Sequence, residues 1–201
     1  MRILDANKIE YKSYSYASTD AISGVEVAKV LDQNEAQVFK TLVTTGHSRE
    51  HYVFVIPVAE ELDLKKAAKA VGEKNIEMLK QKDLLMLTGY IHGGCSPIGM
   101  KKFFKTTIDS SASNFDTIIF SAGKIGYQVE VSLEDLKKVI EFQLAEICVW
   151  CFFGRVPKKL FLLKNRQKND KISSEIKGEN DAKCWWNNKI CTYWKMGKEK
   201  S

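Results

Sequence analysis

The sequence predicts an α+β fold: a single compact domain with a curved mixed β-sheet flanked by helices, followed by a C-terminal tail. Three observations predict it. Two β-branched and aromatic runs, residues 39–45 and 51–58, flank a polar turn and read as a β-hairpin. Helical and strand patterns interleave along the chain without regular βαβ alternation. Composition then breaks after Ile147: residues 148–201 hold 13 Lys and Arg against 5 Asp and Glu, whereas residues 1–147 hold 18 against 20. The body is therefore close to neutral, at −2, and the tail basic, at +8. The domain is expected to span residues 1–147, with residues 148–201 a poorly ordered tail outside it.

The elements follow in order. Ile3, Leu4 and Ile9 among polar neighbours suit a short amphipathic helix over residues 1–9. Tyr11, Ser13 and Ser15 alternate with Lys12, Tyr14 and Tyr16, a first strand with an aromatic face. Ser18, Thr19 and Asp20 offer caps ahead of Val25, Val27, Ala28 and Leu31, which places a helix near residues 22–31, and Asn34 caps a further turn into Val38. The hairpin comes next. Its first strand carries Lys40 among apolar neighbours, where an ammonium is costly unless it emerges in a cleft or at solvent. A charge that protects a sheet edge from aggregation is the plainer alternative.

Asp63 caps a helix over residues 64–71 that Gly72 ends. Two shorter helical pieces, residues 75–79 and 83–88, deliver the chain to a glycine-rich stretch. Residues 106–109, 117–121 and 127–131 read as strands, with a turn at 110–114. Ser132 and Asp135 signal a closing helix that buries Leu133, Leu136, Val139, Ile140 and Leu144.

Several function classes are excluded or weakened by composition. No apolar run approaches the roughly 20 residues that cross a bilayer, and residues 1–8 lack an export signal. A cytoplasmic protein without membrane contact is expected. Gly99 is followed by Met100, so the phosphate-binding Gly-Lys-Ser/Thr ending is missing, and Gly93, Gly94 and Gly99 do not fit the dinucleotide spacing. Cys95, His47, His51 and His92 show no paired spacing that would close a tetrahedral metal site.

Residues 89–99 are the hardest to explain as ordinary core or surface. Gly89, Gly93, Gly94 and Gly99 fall within eleven residues, and Pro97 stiffens the stretch. A short, stiff loop with exposed amides is one reading and a plain multi-turn connection the other. Cys95 is a candidate nucleophile, with His92 three residues earlier as its base. Free cysteine titrates near 8.5 and needs such help, and no orienting acid is evident, which favours a small apolar loop residue. The tail holds Trp150, Trp185, Trp186 and Trp194, with Cys148, Cys151, Cys184 and Cys191. Metal binding, nucleic-acid contact and an extension without selected function all remain open for it.

Several segments in register resemble the YbaK/EbsC family of aminoacyl-tRNA deacylases, which are similar to the editing domain of bacterial prolyl-tRNA synthetases. They are residues 38–42; Pro57 and Val58 followed by residues 62–65; Thr88, Gly89 and Tyr90 running on through residues 93–99 to Lys101 and Lys102; Ile108 and Asp109; and residues 121–124. The resemblance covers residues 1–147 and no part of the tail.

That resemblance implies removal of a wrong amino acid, typically cysteine, from tRNA(Pro). Cysteine and alanine are no larger than proline, so a synthetase pocket shaped for proline excludes them poorly and a second site must clear the error. Cysteine-specific members are thought to let the substrate's own thiol attack its ester, so neither metal nor dissociable cofactor is expected. The resemblance assigns catalytic positions to Lys40 and to the Gly93, Gly94 and Cys95 backbone, and substrate-binding positions to Tyr16, Ser96, Ser121, Gly123 and Gln128. Amides of residues 93–95 would polarise the ester carbonyl. Cys95 is then no nucleophile, since many relatives carry an apolar residue there.

Two departures stand out: the family often has Arg where this chain has Ile125, and an acid where it has Gln128. They leave open an Ala-tRNA(Pro) deacylase or a non-catalytic module that binds a tRNA end or a synthetase. The expected partners are mischarged tRNA, held through lysines such as Lys65, Lys66, Lys69, Lys101, Lys102 and Lys105, and prolyl-tRNA synthetase as a protein that presents the tRNA.

Overall fold

The 39–58 hairpin forms the centre of the structure, a computed structural model that describes residues 1–149 apart from Ile22. The tail features named above, Cys148 and Val149 excepted, lie outside the described residues. In chain order the elements are α1 (Arg2–Ala6), β1 (Lys12–Ser15), α2 (Gly24–Val30), β2 (Phe39–Gly46), β3 (His51–Pro57), α3 (Leu64–Val71), β4 (Ile76–Met78), α4 (Gln81–Thr88), β5 (Lys105–Asp109), a 3-10 turn (Ser110–Asn114), β6 (Thr117–Ser121), β7 (Tyr127–Ser132), α5 (Leu133–Leu136) and β8 (Phe142–Ala145).

The expected α+β class holds, and the mixed sheet divides into two. A five-stranded sheet runs β4-β2-β3-β5-β8, with β3-β5 and β5-β8 parallel and the other pairs antiparallel. A three-stranded antiparallel sheet runs β1-β7-β6. The two meet at a bridge between Val38 and Ile119, reinforced by the Ile119 amide on the Gln37 carbonyl at 3.0 Å.

Between the sheets lies the main core, where Val43, Val53, Val55 and Ile108 meet Ile118, Phe120, Val129 and Val131. β3 is buried on both faces: Val53 and Val55 face this core, while Tyr52, Phe54 and Ile56 pack with Ala67, Ala68 and Val71 of α3. A strand with two buried faces reads as a continuous apolar run, which is why 52–56 has no polar alternation.

Three local expectations are corrected. The helical piece at 75–79 is instead β4, an edge strand pairing Ile76 with Gly46 and Met78 with Thr44. Three residues cannot repay helix nucleation, whereas the open edge of β2 supplies partners at once. The helix near 22–31 is capped by Ser23, whose side chain forms a capping box with Glu26, rather than by residues 18–20. The closing helix stops at Leu136, and residues 142–145 become β8 on the edge of β5, leaving Leu144 at 42% exposure.

The described body runs past residue 147. Ile147 and Cys148 are buried, Cys148 bridges Leu62, and the Val149 amide donates to the Glu61 carbonyl at 2.9 Å. Asp109, fully buried at the end of β5, clasps this segment by accepting from the Ile147 amide at 3.1 Å. It also accepts from the Ser111 amide and hydroxyl at 2.9 and 2.6 Å. Burial alone would raise the Asp109 pKa, but these bonds outweigh it and hold the carboxyl below its usual range.

Because its folded pKa is depressed, Asp109 contributes stability above the ordinary carboxylate range that is lost as pH falls through the folded value. Asp109→Ala is expected to cost about 2 kcal/mol at pH 7 in urea unfolding, since it orphans buried donors. The gap to the unsubstituted protein narrows at acid pH.

Candidate active site

A cleft of about 420 Å³ opens where β2, the start of α2, the β4–α4 connection, the 91–95 loop and the ends of β6 and β7 converge. Lys40, Tyr16, Gly93, Cys95, Ser121 and Gln128, six of the positions singled out in the sequence, line it. Gly94, Ser96 and Gly123 do not. Ser96 is buried behind the loop, its hydroxyl accepting from the Ile98 amide at 3.4 Å. Gly123, at φ +89°, supports the β6–β7 turn, where an added Cβ would fall 2.8 Å from the Tyr90 ring.

The loop backbone differs from the simplest oxyanion arrangement. The Gly94 amide is already committed to the Ile91 carbonyl at 3.0 Å, closing a tight turn. The Gly93 and Cys95 amides donate to no protein acceptor among the described residues. Of the three amides expected to polarise a carbonyl, those two are available and Gly94 instead shapes the turn.

Register places Gln128 opposite Ser121 on one side and opposite Tyr14 on the other, so the three side chains share a row. Gln128 is only 6% exposed, and its Oε1 has no hydrogen-bond partner among the described residues. The Thr41 hydroxyl, on β2 in the same cleft, is likewise buried without a partner among the described residues. Buried polar groups are nearly always satisfied, and an exception in a cleft suits a ligand's polar atoms. Next along β7, the Glu130 carboxylate takes hydrogen bonds from Tyr14 and from Thr117 at 2.6 Å and lies 3.6 Å from the Lys12 ammonium.

Lys40 is half-buried and its ammonium donates to the Val58 carbonyl at 3.0 Å. Burial lowers its pKa below the usual lysine value, partly offset by Glu61 and Glu60. Cys95 behaves differently. Burial pushes its thiol up to about 12, so the thiolate a nucleophile requires is scarce near neutrality. His92 lies exposed on the cleft lining. Among the described residues no group of three or more His, Cys, Asp or Glu is placed to hold a metal ion.

Sequence reasoning missed Thr41, Gln81 and Leu84. The last two sit at i and i+3 on α4 and turn toward the cleft. An α4 start at Gln81 rather than Asp83 would have brought out that spacing.

Residues 19–139 match the aminoacyl-tRNA editing domain family. The chain belongs to this family. Within it, the chain is 49% identical over 148 residues to EbsC of Enterococcus faecalis, named as a candidate Cys-tRNA(Pro)/Cys-tRNA(Cys) deacylase; the match covers 73% of this chain and 90% of EbsC. The fold is shared with a solved structure named as a candidate trans-editing enzyme for prolyl tRNA synthetase, at TM-score 0.65 and 21% identity, covering 74% of this chain and 94% of that one. It is shared equally with the solved structure of a protein named APE2540, at TM-score 0.65 and 18% identity, covering 74% and 97%. These likenesses place the editing family's fold on the two-sheet body. Among the described residues no helix is long and apolar enough to cross a membrane.

The inertness of Cys95 is directly measurable. Iodoacetamide at pH 8 is expected to label Cys95 in the folded protein at least tenfold more slowly than free cysteine, followed by peptide mass spectrometry. Rapid labelling would contradict a buried, protonated thiol.

Proposed function

We propose that this chain hydrolyses mischarged aminoacyl-tRNA, with Cys-tRNA(Pro) as its preferred substrate. As a member of the editing family it is an aminoacyl-tRNA deacylase. The observation that carries the finer reading is the pair of unpartnered amides at Gly93 and Cys95 in a cleft that also holds Lys40. An aminoacyl ester is already activated, so the protein's task is to orient it and stabilise charge on its carbonyl oxygen. Preorganised donors can contribute on the order of 3 kcal/mol each to such a step.

In this reading the ester carbonyl oxygen takes hydrogen bonds from the Gly93 and Cys95 amides. The substrate's own sulfur attacks the carbonyl carbon. The bond to the ribose oxygen breaks, its electron pair stays on that oxygen, and the thiol proton ends there. The products are a cysteine thiolactone, which water later opens, and tRNA with a free terminal hydroxyl. The unpartnered Gln128 Oε1 accepts from the substrate's α-ammonium, so a neutral amide serves where relatives often carry an acid. Lys40 contributes its ammonium to the anionic end of the tRNA. With a body charge of −2, affinity for the tRNA as a whole comes from local lysines or from prolyl-tRNA synthetase presenting it.

A second reading, a non-catalytic module that binds the tRNA end, is favoured by the departures at Ile125 and Gln128. Tight binding of a non-hydrolysable aminoacyl-adenosine with no turnover of any mischarged tRNA would establish it.

Lys40→Ala is expected to lower kcat/KM for Cys-tRNA(Pro) at least 100-fold, while Cys95→Ala stays within about threefold. Full activity of Lys40→Ala would remove that residue from the mechanism. Because the Lys40 pKa is lowered, its charge is lost on raising the pH before an ordinary lysine's would be, and Lys40→Arg should move that alkaline limb upward. Substrate-thiol chemistry further requires that tRNA(Pro) charged with S-methylcysteine or alanine be deacylated far more slowly than Cys-tRNA(Pro). Equal rates would assign the attack to water.

A further inference from the structure

Next to Gly93, which lines the cleft, the backbone of the 91–95 loop lies against the β6–β7 turn. A Cβ placed on Gly94 would sit 3.2 Å from the Ile125 nitrogen and 3.5 Å from its Cγ1, and one on Gly93 would sit 3.9 Å from Ile125 Cγ1 and Cδ1. The Ile125 side chain therefore lies along the backbone that carries the available Gly93 amide. It is nonetheless 49% exposed, and Ile91, at the start of the same tight turn, is 51% exposed. Lys124, the neighbouring cation, is drawn over the Tyr127 ring at 5.4 Å from its centre, so the side chain resting on the loop here is aliphatic. His92, between Ile91 and Gly93, lines the cleft and is exposed.

We propose that Ile125, with Ile91 and His92, forms a shelf on which the terminal base of the tRNA 3′ end rests. The inference depends on the reading of the cleft given above and extends it from the amino acid to the nucleoside. Covalent geometry carries the step. The ester joins the amino acid directly to the terminal ribose, so a carbonyl held by the Gly93 amide leaves the ribose and its base within a few ångströms of Gly93. The Ile125 side chain is a surface at that distance, its Cγ1 and Cδ1 3.9 Å from where a Cβ on Gly93 would sit. An aliphatic and imidazole shelf suits the face of a purine, which every mature tRNA presents at its 3′ end, through apolar burial and stacking without hydrogen-bond readout. Recognition of this kind is indifferent to the identity of the tRNA body.

The test uses the full chain and two non-hydrolysable ligands: cysteine amide-linked to 3′-amino-3′-deoxyadenosine, and the same cysteine amide on a ribose without a base. Titration calorimetry is expected to show the unaltered protein binding the adenosine compound at least about fivefold more tightly. Ile125→Ser removes that preference while leaving affinity for the base-free compound unchanged, and Ile125→Phe retains it. Ile125→Ser with the preference intact, or with both affinities reduced equally, would overturn the shelf but not the cleft. Binding of neither compound by the unaltered protein would overturn both. Half-exposed Ile125 is outside the core, so these variants should fold, and circular dichroism verifies that they do.

Discussion

The structure turns on one close approach, that of the Gly93–Gly94 backbone to the backbone of Lys124 and Ile125. At Gly94 a single carbon would lie 3.2 Å from a neighbouring main-chain nitrogen, and Gly93 adopts φ +81°, where side chains are disfavoured. Two loops far apart in sequence can thus meet main chain to main chain. One carries amides without acceptors; the other leads directly into Ser121 and Gln128 of the three-stranded sheet. Separate them by one side chain and Gly93 and Cys95 would no longer line the same cleft as Lys40.

Burial separates the behaviour of the groups in that cleft and of those beside it. The Cys95 thiol stays protonated because nothing nearby compensates the loss of water. Lys40 loses some of its hold on the proton for the same reason but keeps a carbonyl partner in Val58. Glu130 is the opposite case: burial would raise its pKa, yet donors from Thr117, Tyr14 and Lys12 outweigh burial and keep it ionised. The Tyr14–Glu130 bond ties β1 to β7 beside Gln128, so a satisfied carboxylate steadies an unsatisfied amide. The cleft consequently offers little thiolate, and its polar groups are held in place by the two sheets, which suits a substrate that brings its own reactive ester.

Much of this was legible from residue patterns. The hairpin, α3 with its Asp63 cap and Gly72 stop, and the paired strands β6 and β7 follow from local chemistry, and each forms as expected. What was not legible depends on distant partners. Residues 76–78 and 142–145 are too short for periodicity to decide, and they become strands because β2 and β5 offer open edges. Cys148 looked like part of a basic tail, whereas Leu62 and Lys66 tie it to the body. In the site, the family resemblance pointed to Tyr16, Lys40, Gly93, Cys95, Ser121 and Gln128, which share the cleft. Pattern alone could not reveal that Gly94 spends its amide on Ile91, or that Thr41 lacks a partner.

The most direct measurement is the amide spectrum of the loop, followed by ¹⁵N-resolved NMR while a non-hydrolysable cysteinyl-adenosine is titrated in. A carbonyl polarised by this backbone predicts downfield shifts of the Gly93 and Cys95 amides with Gly94 nearly unmoved. Saturable binding that leaves the Gly93 and Cys95 amides unshifted would contradict the account.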